Sequence, residues 1–235
     1  MGNEIAVLMA AGLGTRMKPL TDTIPKPLVK VNGIPMIETV INGLKERGID
    51  EISVVTGYLG ECFSYLPPKY PGLKLIENRE YETVNNISSI KAAADIFRGR
   101  DVFICEADLY ISDPSIFDTD LTDSCYFGKF VEGHSDDWVF EQDGEGYIKR
   151  VGKVGDDCYN MCGISFFKGK DSAVIADAVC ERYLKPGYEE LFWDDVVNEN
   201  LCRLKLKVHP VNNDQIVEID SVDELCVIDP SYIDR

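Results

Sequence analysis

Apolar positions follow one rhythm in the first half of the chain and another in the second. Residues 5–9 form a short apolar run that predicts a buried strand. Residues 35–47 place Met36, Ile37, Val40, Ile41 and Leu44 on one helical face, with Gly48 as a cap. Residues 51–56 predict the next strand, 60–65 a short helix stopped by Pro67-Pro68, and 73–77 a further strand. Residues 86–97 put Ile87, Ile90, Ala94 and Phe97 on one face and predict a helix, and 101–105 predict another buried strand. Strands alternating with helices favour a parallel sheet covered on both faces.

The rhythm shortens after Asp108. Residues 124–131, 138–141, 146–151 and 159–167 predict short strands separated by Gly or Asp turns, a mixed sheet region laid over the first half. Helix signals return at 170–184 and 189–201, a late strand at 204–210, and a short helix at 221–227 that Ser221 caps. No internal repeat, low-complexity tract or linker interrupts the chain. The expected architecture is therefore α/β, a single Rossmann-like three-layer domain over residues 1–235 with a mostly parallel mixed sheet.

Composition narrows the partners. The chain has 235 residues and is 45% hydrophobic, enough for a substantial core. Its 24 Lys and Arg face 41 Asp and Glu, a formal charge of −17 that argues against a nucleic-acid or anionic-membrane surface. Residues 5–36 break this trend, with Arg16, Lys18, Lys26 and Lys30 against Asp22 alone. A local positive patch on an acidic chain points to an anionic ligand. Residues 1–12 carry no basic leader region, and no segment is long enough to span a bilayer. The eight cysteines are scattered, with Cys158 and Cys162 the one close pair and no His at zinc-finger spacing. Buried thiols in a reducing cytoplasm are the expectation. His134 and His209 lie too far apart to mark a site by spacing.

The patch coincides with the run LMAAGLGTRMKPLTDTIPKPL from Leu8 to Leu28. Gly12 and Gly14 are expected to give a tight loop whose amides approach a ligand closely. Such a nest binds anions, and Arg16 adds a planar fork of donors. Lys26 lies between Pro25 and Pro27, which stiffen its backbone. A P-loop is excluded because Thr15-Arg16 follow Gly14. A dinucleotide fingerprint is excluded because Met17 stands at its third small position.

Two acidic triplets follow predicted strands. Glu106-Ala107-Asp108 sits where open α/β sheets bind ligands. In Glu218-Ile219-Asp220 an extended backbone turns both carboxylates to one side. Magnesium takes a few carboxylates plus phosphate oxygens and water, so two distant carboxylates are enough to clamp one ion. Turn acids in an acidic chain are the plainer reading of the same spacing.

The Leu8–Leu28 run resembles the glycine-rich motif of the nucleoside-triphosphate transferases. With Tyr81, Asn85-Asn86, Glu106-Ala107-Asp108, Leu191-Phe192-Trp193-Asp194 and Glu218-Ile219-Asp220-Ser221, the chain resembles bacterial CTP:phosphocholine cytidylyltransferases over residues 5–227. The resemblance implies catalytic Arg16, Lys26 and Asp108, and Mg²⁺ on Asp108 and Asp220 with Glu218 as a further ligand. It implies nucleotide contacts from Leu8, Ala10, Ala11, Gly12, Gly14, Thr15, Arg16, Lys26, Tyr81, Asn85, Asn86 and Glu106. It divides the chain into a nucleotide-binding half of about residues 1–110 and an acceptor-binding half of about 111–235.

Trp138, Phe192, Trp193 and Asp194 are the implied acceptor residues. Aromatic faces beside carboxylates suit a cationic head group. Phe192 stands where the family commonly has Tyr, which keeps the ring and removes a hydroxyl. The expected partners are CTP and a small phosphorylated amino alcohol or aminophosphonate. Phosphocholine is the first reading of the acceptor. A primary ammonium, as in 2-aminoethylphosphonate, is the alternative, served by Asp136, Asp137, Asp194 and Asp195. A sugar-1-phosphate transferase and a non-catalytic nucleotide sensor are the other readings.

Overall fold

The computed structural model describes residues 4–212 and 214–233. The leader reading begins on residues 1–3, which lie outside them. The strands and helices in chain order are β1 Ile5–Ala10, β2 Lys30–Val31, β3 Ile34–Pro35, α1 Met36–Glu46, β4 Ile52–Thr56, α2 Leu66–Lys69, β5 Leu73–Glu77, α3 Ile87–Phe97, β6 Val102–Glu106, β7 Leu109–Ile111, β8 Cys125–Gln142, β9 Ile148–Phe167, α4 Gly169–Arg182, α5 Trp193–Glu199, β10 Lys207–Pro210, β11 Ile216–Glu218 and α6 Val222–Ile228.

Seven strands form one sheet in the order β10-β8-β9-β6-β1-β4-β5. β5, β4, β1 and β6 pair in parallel, while β9 runs antiparallel to both β6 and β8. β1 shows why the sheet is covered twice. Ala6, Leu8 and Ala10 point into one core with α1, and Ile5 and Val7 into the other with α3 and α4. The expected three-layer, mostly parallel mixed sheet is what forms. Among the described residues no helix is long and apolar enough to cross a membrane.

Several expected boundaries change. The four short strands after Asp108 are two long ones, β8 and β9, joined at a turn around Asp143 and Gly146. Their outer part is a ribbon with exposed residues on both faces, so hydrophobic alternation stops although pairing continues. Register shifts between Val131 and His134 and between Ser135 and Trp138 absorb the irregularity. Pro67 and Pro68 do not stop a helix; they open the single-turn α2, where a missing N–H costs nothing. The helix expected from residue 189 starts at Trp193, with the Phe192 N–H donating to Asp195 Oδ2 at 2.9 Å.

The order β4-β1-β6 reverses the direction of chain progression at β1. The carboxyl ends of β1 and β6 therefore flank a switch point, where such sheets bind ligands. A small third core of Met17, Val29, Val31, Met36, Ile219 and Leu225 ties the Gly12–Lys26 loop to the segment before α6. Antiparallel pairing of β11 with β7 brings Glu218 opposite Leu109. Residues about a hundred positions apart thus meet over the same strand ends.

Candidate active site

A cavity of about 650 Å³ opens beyond the carboxyl ends of β1 and β6. Ala10, Ala11, Gly12, Gly14, Thr15, Arg16, Lys26, Tyr81, Asn85, Asn86, Glu106, Asp108, Trp138, Phe192, Glu218 and Asp220 all line it. Three residues implied by the resemblance do not. Leu8 is fully buried in mid-strand, with its side chain in the α1 core. Trp193 stacks on Tyr126 at 5.9 Å and meets Phe167 edge-on at 6.0 Å, so it is a core residue. Asp194 is 4% exposed and accepts a 2.9 Å hydrogen bond from the buried Tyr126 hydroxyl.

Only one of the two loop glycines is sterically required. Gly14 has φ +60°, and an added Cβ would lie 2.9 Å from Lys26 Cβ and 3.2 Å from Thr21 Cγ2. Thr21, itself buried, donates to the Gly14 carbonyl at 2.8 Å and fixes that approach. Gly12 faces open space. Gly14→Ala is expected to cost roughly 1–3 kcal/mol, the scale of a non-glycine left-handed residue. Gly12→Ala should leave the fold unchanged. Urea unfolding of the two variants tests the contrast, and equal midpoints would remove the steric argument.

The positive patch does not stand free. Lys26 Nζ lies 2.6 Å from Asp108 Oδ2 and 2.6 Å from Asp220 Oδ1. Arg16 grips Asp220 with both terminal nitrogens, each at 2.9 Å. Burial alone would lower the Lys26 pKa, but Asp108 and Asp220 outweigh it and raise it above the ordinary value. Enclosure, with Asp220 and Asp108 nearby, pushes the Glu218 carboxyl up to about 7. Glu106 is held well above the carboxylate range, by burial first and then by Asp108, Glu218 and Asp194. Gly163, at φ +70°, makes room for it, since a Cβ there would sit 2.9 Å from Glu106 Oε2.

The donor set fits a divalent cation that brings its own phosphate and water ligands. Asp108 and Asp220 already share one cationic group, the Lys26 ammonium. Among the described residues no three His, Cys, Asp or Glu side chains make a complete metal cage.

Asn85 and Asn86 bridge the start of α3 to the segment that enters α5. Asn85 N–H donates to the Glu189 carbonyl at 2.8 Å, and the Trp193 N–H donates to Asn86 Oδ1 at 2.9 Å. Asn78, Ser88 and Ser89 also line the cavity, joined by hydrogen bonds of 2.8 and 3.2 Å from Asn78 Nδ2. They escaped the sequence reading, although paired serines in the first turn of a helix after a strand were a signal for them. Asp136, Asp137 and Lys153 line the same cavity as Trp138 and Phe192. The two rings meet at 5.4 Å and 67°. Lys153 was not read from sequence at all. The eight cysteines are free, as expected, but only Cys105, Cys125, Cys158 and Cys162 are buried; Cys62, Cys180 and Cys226 are half-buried and Cys202 is exposed.

Comparison with known proteins fits this geometry. Residues 6–124 match the MobA-like NTP transferase domain. The chain is 54% identical to the 2-aminoethylphosphonate cytidylyltransferase of Lancefieldella rimae, over 97% of this chain and 93% of that protein. It is 35% identical to the choline-phosphate cytidylyltransferase of Streptococcus pneumoniae, over 93% and 94% of the two. The solved CTP:phosphocholine cytidylyltransferase from Streptococcus pneumoniae superposes with a TM-score of 0.88 at 31% identity, covering 97% of this chain and 98% of that one. A glucose-1-phosphate thymidylyltransferase structure from Bacillus anthracis, described as putative, shares the fold with a TM-score of 0.77 at 19% identity. The chain belongs to the MobA-like NTP transferases and, within them, is a cytidylyltransferase.

Proposed function

We propose that this cytidylyltransferase uses 2-aminoethylphosphonate as its acceptor, giving the CMP-linked phosphonate and pyrophosphate. The observation that carries this reading over the phosphocholine reading is the 54% identity across nearly the whole chain to an enzyme named for that acceptor. The geometry supports it. Asp136 and Asp137 line the cavity beside Trp138, Asp136 with one oxygen 3.3 Å from His134 Nε2, and carboxylates there can accept hydrogen bonds from a primary ammonium, which a quaternary ammonium cannot donate. The Trp138–Phe192 ring pair favours phosphocholine as the second reading.

The chemistry is in-line displacement. A phosphonate oxygen forms a bond to the α-phosphorus of CTP as the bond to the bridging pyrophosphate oxygen breaks. The nucleophile is already ionised, so the protein's work is positioning and charge neutralisation. Lys26 offers its ammonium to the α-phosphate, and Arg16 with the Gly12–Thr15 amides holds the departing pyrophosphate. Asp108 and Asp220 would hold Mg²⁺, which when bound neutralises phosphate charge. Tyr81, Asn85, Asn86 and the Asn78–Ser88–Ser89 group form the nucleotide end of the cavity.

Pyrophosphate release with CTP tests the reading, run in parallel with 2-aminoethylphosphonate, phosphocholine and glucose 1-phosphate. The expected result is a kcat/KM for aminoethylphosphonate at least tenfold above the others. Preference for phosphocholine would overturn the acceptor assignment and leave the transferase assignment standing.

A further inference from the structure

We propose that Lys153 is a specificity-determining residue whose own ammonium occupies the Trp138–Phe192 ring pair and bars quaternary ammonium head groups from it. This inference rests on the aminophosphonate reading of the acceptor. Lys153 Nζ lies 5.8 Å from the centre of the Trp138 ring and 5.4 Å from that of Phe192. Both distances are within cation–π range. Trp138 and Lys153 are register partners across β8 and β9, so the sheet itself sets one of the contacts. Phe192 comes from the separate segment that enters α5, so the ammonium is held between two independent elements.

A cross-strand Trp–Lys pair alone would be an ordinary sheet contact. Two observations make it more. Both rings and Lys153 line the same cavity as the catalytic groups. Among the described residues no carboxylate lies within ion-pair distance of Lys153, although Asp136 and Asp137 share that wall. The rings thus hold a cation supplied by the protein. A trimethylammonium group needs those ring faces, because it has no N–H for the aspartates. It would have to displace Lys153 or sit beside it against charge repulsion. A primary ammonium can leave the rings to Lys153 and donate to Asp136 and Asp137 instead.

The test separates head group from phosphoryl type. Wild type, Lys153→Met and Lys153→Arg are assayed with four acceptors: 2-aminoethylphosphonate, its N-trimethyl analogue, phosphoethanolamine and phosphocholine. Lys153→Met keeps the apolar stem and removes the charge, at an exposed position where the fold tolerates change. The expected result is a shift of at least about tenfold in kcat/KM toward both trimethylated acceptors, the scale of one cation–π contact. Lys153→Arg keeps a cation on the rings and should retain the wild-type discrimination. An unchanged ratio in Lys153→Met would overturn the proposal while a wild-type preference for aminoethylphosphonate still stood. An equal loss with all four acceptors would also overturn it, making Lys153 a ligand of the phosphoryl oxygens. A wild-type preference for phosphocholine would refute the acceptor reading itself, independently of the variants.

Discussion

Lys26→Met is expected to lower kcat by roughly 10³-fold, the upper range for losing one preorganised group at developing charge, while the protein stays folded. The methionine stem fills the space of the lysine stem, which is 7% exposed. What disappears is the ammonium that lies 2.6 Å from both Asp108 and Asp220. Asp220 keeps its bidentate Arg16 contact, but Asp108 loses the only ion-pair partner it has among the described residues. Two consequences follow that a merely structural lysine would not produce. Turnover falls with saturating CTP and acceptor, because the group acts on the α-phosphate rather than on ground-state binding. Magnesium without nucleotide should raise the Tm of Lys26→Met more than that of wild type, because the metal no longer competes with the ammonium for the two carboxylates. A kcat within tenfold of wild type would remove Lys26 from the chemistry. An equal Mg²⁺-induced Tm shift in both proteins would place the metal elsewhere.

This arrangement also explains which parts of the site were legible in the sequence. The Gly14 turn, the pinned Lys26 and the triplets ending at Asp108 and Asp220 each follow a strand or precede a helix, so local pattern was enough to find them. Their mutual pairing was not visible, because the register of β11 on β7 that brings Glu218 opposite Leu109 is a tertiary fact. The sequence made residues 5–36 look like a free basic patch, whereas Arg16 and Lys26 face carboxylates and Lys18 pairs with Asp22. Lys153 was hidden for a similar reason. It lies on the ribbon of β8 and β9, where both faces are solvated and hydrophobic alternation carries no signal. Trp193 and Asp194 were misplaced because Phe192, Trp193 and Asp194 are contiguous. The start of α5 at Trp193 turns Phe192 to the cavity and the next two side chains into the core.

Asp194→Asn should make the fold more stable at pH 8 and leave acceptor KM nearly unchanged. Burial raises the Asp194 carboxyl to about 7 from an ordinary 3.8, despite the lowering effect of the Tyr126 hydroxyl. The unfolded chain gives up this proton near its ordinary value, and the folded protein holds it until about 7. Stability is therefore full below about pH 4 and is lost as pH rises toward 7. At about 1.4 kcal/mol per pH unit, the loss attributable to this one group is of order 4 kcal/mol by pH 8. Asparagine keeps the shape and still accepts from Tyr126, so that part of the pH dependence should vanish. Urea unfolding of wild type and variant at pH 5 and pH 8 measures it as a difference, in which Glu218 largely cancels and Glu106, no longer raised by the Asp194 charge, adds to the gain at pH 8. The same variant decides the residue's place in the mechanism. A carboxylate touching the acceptor ammonium would cost tenfold or more in acceptor KM when neutralised. The 4% exposure of Asp194 and its absence from the cavity lining call for little change. A large KM effect with no gain at pH 8 would mean that Asp194 turns into the cavity when the acceptor binds.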